Sequence, residues 1–156
     1  MNVDIISEIK TLLKGLSLNE ADYRKKSTDP GSAHGKIIEK LKEYWFDKYP
    51  YIEKYGLQNI DFLGKEAQPE GHILVAVEVD AGWWRAIGSC VKLANIRAKN
   101  KIWIYVTAEE NAEENFKRAL KDIQKLLKMR NETKESFGNF VAFLKTPKGL
   151  KMQRIL

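Results

Sequence analysis

Between Ile5 and Leu16 the apolar residues Ile5, Ile6, Ile9, Leu12, Leu13 and Leu16 recur at helical spacing, which predicts an amphipathic helix. From Asn19 to Gly31 the pattern lapses into polar residues, among them Arg24, Lys25, Lys26 and the breaker Asp29-Pro30-Gly31, so a basic loop or arm is expected there. Ser32 is placed to cap a further helix that runs to about Asp47. Its apolar face is Ile37, Ile38, Leu41, Tyr44 and Trp45. His34 falls on that face one turn earlier, whereas Glu39 and Glu43 fall on the opposite, solvated side.

Extended patterns follow. Tyr51–Leu57, Gln58–Leu63 and His72–Asp80 are expected strands, the third rich in Ile and Val. Gln68-Pro69-Glu70-Gly71 carries Pro and Gly where a type I turn takes them, so the last two strands are expected to form a hairpin. Helical spacing returns from Trp83 to Ala98, through Trp83, Ile87, Cys90, Val91, Ala94 and Ala98. Lys101–Thr107 (KIWIYVT) is almost wholly apolar, the pattern of a strand covered on both faces. A helix over about 110–129 stacks Phe116, Ala119, Leu120, Ile123, Leu126 and Leu127, and its acidic first turn and basic last turn complement the helix dipole. Asn139–Lys145 and Leu150–Leu156 are strands around Thr146-Pro147-Lys148-Gly149. This order predicts one α/β domain over residues 1–156, a mixed β-sheet flanked by helices on both faces.

Composition narrows the function classes. A chain of 156 residues, 44% hydrophobic and 31% charged, is long enough for one self-sufficient core and too apolar to be disordered. No apolar run approaches the roughly 18–20 residues that span a bilayer. The start MNVDIISEIK is acidic where a signal peptide would be basic. A soluble, cytoplasmic protein with no membrane partner is the expectation. The single cysteine, Cys90, excludes a disulfide within the chain and any Cys-based zinc site. His34 and His72 are the only histidines, and the chain has neither a Gly-rich phosphate loop nor a G-x-S-x-G elbow. A net charge of +6 and a pI near 9.3 point to a polyanionic partner.

The hairpin brings acids together. With Gln68 and Gly71 opposed at the turn, Asp61 faces Glu78 and Asn59 faces Asp80. Strand alternation then projects Asp61, Glu78 and Asp80 from one face and Ile73, Val75, Val77 and Val79 from the other. Directly opposed side chains have Cβ atoms about 4.5–5.5 Å apart, and like charges there destabilise a sheet. A proton or a hard divalent cation with oxygen ligands resolves that conflict, and such conflicts are expected at functional sites. The alternative is a solvated face bearing ordinary surface charge.

Asp61 on one strand, Glu78-Val79-Asp80 ending the next, then a helix and the strand KIWIYVT make residues 33–107 resemble the PD-(D/E)XK, or restriction endonuclease-like, superfamily. The resemblance implies a Mg²⁺-dependent (or Mn²⁺-dependent) nuclease that hydrolyses phosphodiester bonds of DNA or RNA. It implies metal ligation by Asp61 and Glu78, helped by the Val79 carbonyl; Asp80, on the same strand face, is a third candidate ligand from the strand alternation. Ile60 stands where the family often has Pro, and Asp80 stands where the motif has Lys. Some members carry an acid there and remain active, and others carry the lysine on the following helix, where Arg85, Ser89 and Lys92 share a polar stripe. Lys92 or Arg85 is therefore expected to neutralise the scissile phosphate, unless the stripe is a solvated basic face. His34, inward at the matching end of its helix, is a candidate ligand or base, or else a structural histidine.

Trp84 is a candidate platform for base stacking, while Trp83 lies on the core stripe. Arg24, Lys25 and Lys26, with Lys145, Lys148, Lys151 and Arg154, are candidate phosphate contacts or solubilising charge. The absence of the motif lysine favours an alternative, a catalytically degenerate module of the same fold that binds nucleic acid or protein without cleavage. A third reading is a plain α/β scaffold with a Trp-rich interface. A homodimer remains open as the assembly.

Overall fold

The computed structural model describes residues 4–48, 59–66 and 72–156. The strand expected over Tyr51–Leu57 and the turn Gln68-Pro69-Glu70-Gly71 lie outside the described residues. Helix α1 (Ile5–Gly15) starts where the Asp4 carboxylate accepts from the Ser7 amide at 3.2 Å and the Ser7 hydroxyl at 2.7 Å. A short helix α2 (Glu20–Arg24) and the long α3 (Ala33–Lys48) follow. Ser32 caps α3 as expected, its hydroxyl accepting from the Gly35 amide at 3.0 Å. The polar stretch from Asn19 is not a loose arm at its start. Asp22 is buried and accepts from the Asn19 amide and the Lys36 ammonium, each at 2.9 Å, which ties α2 to α3.

Strand β1 (Phe62–Lys65) pairs antiparallel with β2 (Ile73–Asp80), and β3 (Ala98–Val106) and β4 (Asn139–Thr146) run parallel to β2. β5 (Gly149–Arg154) returns antiparallel to β4, giving a five-stranded mixed sheet in the order β1-β2-β3-β4-β5. One 3₁₀ turn (Trp83–Arg85) leads into α4 (Ala86–Ala94), and α5 (Ala112–Met129) and the short α6 (Lys134–Phe137) complete the chain. The expected α/β sheet with helices on both faces is present. On one side Ala76, Trp103, Tyr105 and Ala142 meet Cys90 and Leu93 of α4 and Phe116 and Ile123 of α5. On the other, Val75, Val77, Val79, Ile102 and Ile104 meet Ile9 and Leu13 of α1 and Ile37, Leu41 and Trp45 of α3. β2 and β3 are continuous apolar runs because both of their faces are covered.

Three local expectations change. Asn59 has φ 57°, in the left-handed region, and pairing begins only at Phe62, so Asn59 does not oppose Asp80. The ladder Phe62↔Val77, Leu63↔Ala76 and Gly64↔Val75 keeps the expected register, but Lys65 then pairs with Ile73 across a bulge. As a result Ile73 packs with the α4–α5 core instead of the opposite side. Finally, Ala98 opens β3 rather than closing the helix before it, and Ile87 is exposed. The 3₁₀ turn winds at three residues per turn, which rotates α4 so that Ala86, Cys90 and Leu93 face inward. No helix among the described residues is long and apolar enough to cross a membrane.

Candidate active site

The acids gather at the carboxyl end of β2, where β1 begins. Phe62↔Val77 is the last ladder pair, and continuing that register by one residue sets Asp61 opposite Glu78. The Asp61 carboxylate caps the ladder, its Oδ2 accepting from the Val79 amide at 2.8 Å. From the α3 side His34 Nε2 approaches the same oxygen to 3.7 Å. Glu78 is 2% exposed, and its Oε1 has no hydrogen-bond partner among the described residues. Lys92 on α4 brings its ammonium to 3.9 Å from that oxygen, close enough for attraction and too far for a hydrogen bond.

Electrostatics follow from this arrangement. Burial, and then the neighbouring Asp61 carboxylate, push the Glu78 pKa up to about 8 against the pull of Lys92. Burial also opposes ionisation of Asp61, but His34 and the Val79 amide outweigh it and hold that carboxyl below its usual range. At neutral pH the pair therefore carries one negative charge and one proton between them.

Asp80, expected as a third carboxylate of the site, is engaged elsewhere. It is 8% exposed, and its Oδ2 accepts from the Ser89 hydroxyl at 2.5 Å and the Trp103 indole N–H at 2.8 Å. These two bonds tie the end of β2 to α4 and β3, and Lys92 lies one turn beyond Ser89 on the same helix. Among the described residues no three His, Cys, Asp or Glu side chains form a cation cage. Asp61 and Glu78 nonetheless suit Mg²⁺, which takes one or two carboxylates and completes its shell with water and substrate phosphate. The lone Glu78 oxygen is the observation that fits them to such an ion.

The other candidates divide. His34 and Lys92 join the acidic pair, and Glu39 turns away to meet Lys42 at 3.0 Å, as its place on the helix predicts. Arg85 and Trp84 are exposed beside α4. Arg24 contacts Glu20 at 4.0 Å and Lys25 contacts Asp22 at 3.7 Å, while Lys26 is exposed. Arg24, Lys148 and Lys151 line one cleft of about 920 Å³ at the start of α5, but Glu20, Glu109, Glu110, Glu113 and Glu114 line it too. Lys151 is paired with Glu113 at 2.7 Å, so the cleft is no phosphate cradle. Lys145 is buried, donating to the Leu13 carbonyl at 2.7 Å.

Sequence reasoning missed the Tyr105 hydroxyl, which is buried and has no hydrogen-bond partner among the described residues, one strand across from Asp80. It also missed Trp103 as the partner of Asp80. The signal was there, because a buried indole N–H in an apolar strand needs an acceptor.

No protein family, curated protein or solved structure matches this chain in comparison.

Proposed function

We propose that this chain is a Mg²⁺- or Mn²⁺-dependent nuclease of the PD-(D/E)XK kind, hydrolysing phosphodiester bonds of DNA or RNA. The observation that carries the reading is the buried Glu78 oxygen, which no donor among the described residues reaches at hydrogen-bond distance, beside Asp61 and 3.9 Å from the Lys92 ammonium. A structural ion pair would have closed to hydrogen-bond distance, and an apolar side chain would have served packing better. Asp61 and Glu78 are the ligands, and the cation supplies Lewis acidity and charge neutralisation at the scissile phosphate. The Val79 amide fixes Asp61, and the Ser89–Asp80–Trp103 bonds fix α4 and with it Lys92. Lys92 takes the place of the motif lysine from the helix and meets the developing charge on the phosphate. His34, beside Asp61, is positioned to orient that carboxylate or to accept a proton from water.

The engagement of Asp80 favours the second reading, a module that binds nucleic acid or protein without cutting it. One experiment separates them. Wild type, Asp61→Asn and Glu78→Gln are incubated with single- and double-stranded DNA and RNA in Mg²⁺, Mn²⁺ or EDTA. Metal-dependent cleavage lost in both variants supports the nuclease. Binding that survives EDTA, with every substrate intact, favours the module.

A further inference from the structure

The outer face of α4 carries a stripe that the acidic pair does not explain. Gly88 and Lys92 stand one helical turn apart on α4, and Trp84 stands in the 3₁₀ turn that leads into that helix. Trp84 is 65% exposed, yet its ring is supported. A Cβ added at Gly82 would lie 2.5–2.7 Å from three atoms of the indole, so the bare Gly82 backbone carries one face of the ring and leaves the other open. Gly88 has nothing within 4 Å of an added Cβ, so packing does not require a glycine there. Gly88 stands in the first turn of α4, where glycine costs helix stability relative to alanine, and close approach of the backbone to a ligand is one use that a glycine serves. Beyond Gly88 stands Lys92, 3.9 Å from Glu78, and Arg85, which follows Trp84 in the chain, is exposed.

We propose that this stripe is a track for an unpaired stretch of nucleic acid. One base stacks on the open face of Trp84, the sugar-phosphate chain crosses the bare backbone at Gly88, and a phosphate reaches Lys92 beside Asp61 and Glu78. The proposal rests on the nuclease reading and adds that the substrate is single-stranded at the site. From Trp84 to Lys92, through the end of the 3₁₀ turn and along α4, the chain rises about 12–13 Å at about 1.5–2.0 Å per residue, the length of three to four stacked nucleotides at about 3.4 Å. A base within a duplex has both faces covered by its neighbours and cannot use the indole unless it is unstacked. The net charge of +6 and the two cations along the stripe complement a phosphate backbone.

The test measures binding of labelled oligothymidylate, oligouridylate and a DNA duplex, each about 12 nucleotides long, in Ca²⁺ and in EDTA. The proteins are wild type, Trp84→Ala, Gly82→Ala and Gly88→Gln. Wild type should bind either single strand at least about tenfold more tightly than duplex, with quenched Trp emission, and Trp84→Ala should lose about tenfold and the quenching. Gly82→Ala should weaken binding although Trp84 is retained. Gly88→Gln should weaken binding while raising the Tm, an outcome a merely structural glycine would not give. Duplex bound as tightly as single strand, or Trp84→Ala and Gly88→Gln binding like wild type, overturns the track. If Asp61→Asn and Glu78→Gln still abolish cleavage in that case, the nuclease reading stands without it. Binding to no nucleic acid at all removes both. Trp emission that changes with protein concentration and not with oligonucleotide marks the stripe as a contact between copies, and also overturns the proposal.

Discussion

Two acidic side chains in this molecule are hidden from solvent to the same degree, Asp22 on the peripheral α2 and Glu78 inside the sheet, each 2% exposed. Each has a lysine neighbour. Around Asp22 the lysine closes to 2.9 Å, the Asn19 amide donates at 2.9 Å, and Lys25 stands at 3.7 Å. The Lys36 hydrogen bond, above all, holds the Asp22 carboxyl below its usual range. Around Glu78 the lysine stops at 3.9 Å and one oxygen has no donor among the described residues, while burial, and then the Asp61 carboxylate opposite, raise its pKa to about 8. Burial alone therefore does not set the charge that an acid carries. The distinction lies in whether the fold has already supplied the counter-charge.

Substitutions can break this comparison. Asp61→Asn and Glu78→Gln should each lower Mg²⁺-dependent cleavage by about a thousandfold, whereas Asp22→Asn should leave the rate near wild type, as single-turnover assays would reveal. Equal losses in all three would erase the contrast. Lys92→Ala should lower kcat about a hundredfold, the cost of removing one group that stabilises transition-state charge, and a change in KM alone would argue against that role.

Stability sharpens it. Mg²⁺ at a hundredfold excess over its Kd should stabilise wild type by about 2–3 kcal/mol and leave Glu78→Gln unchanged, measured as a shift in urea unfolding. Without metal, the raised pKa of Glu78 favours the protonated fold, so its contribution is complete below the unfolded value of 4.5 and is lost as pH rises through about 8. Metal-free wild type should therefore weaken between about pH 5 and pH 8. Glu78→Gln should not weaken in that way, and should exceed wild type at pH 8 by about 1–2 kcal/mol. The lowered pKa of Asp22 has the opposite sign. Its contribution is present above 3.8 and fades only in acid, so the penalty of Asp22→Asn should persist unchanged from neutrality to pH 8.

The opposition of Asp61 and Glu78 agrees with the register expected for the hairpin. A bulge between Gly64 and Lys65 shifts the pairing by one residue on the side toward the loop, so side-chain alternation and not the turn sequence is what made it legible. The approach of His34 was legible because helical periodicity fixes which side of α3 faces the sheet, whereas the 3₁₀ turn rotated α4 away from its expected face, and Lys92 was legible only as a member of a polar stripe. The fate of Asp80 was not, since Ser89 and Trp103 meet it only through the packing of a helix and a parallel strand that local spacing does not specify. The bulge at Ile73 and the late start of β1 were hidden for a related reason. Asn59 is tolerated in the left-handed region, but nothing in the residues around it announces that it adopts it.

The bond from Lys145 to the Leu13 carbonyl joins residues 132 positions apart and closes the layer formed by α1, α3 and β4. On a ribosome adding about 5–20 residues each second, the first helix waits about 7–26 s before its covering strand exists. Ile5, Ile6, Ile9 and Leu13 stay uncovered by β4 for that interval, so assembly of this half of the core is paced by translation, and a chaperone has time to act before the last strands emerge.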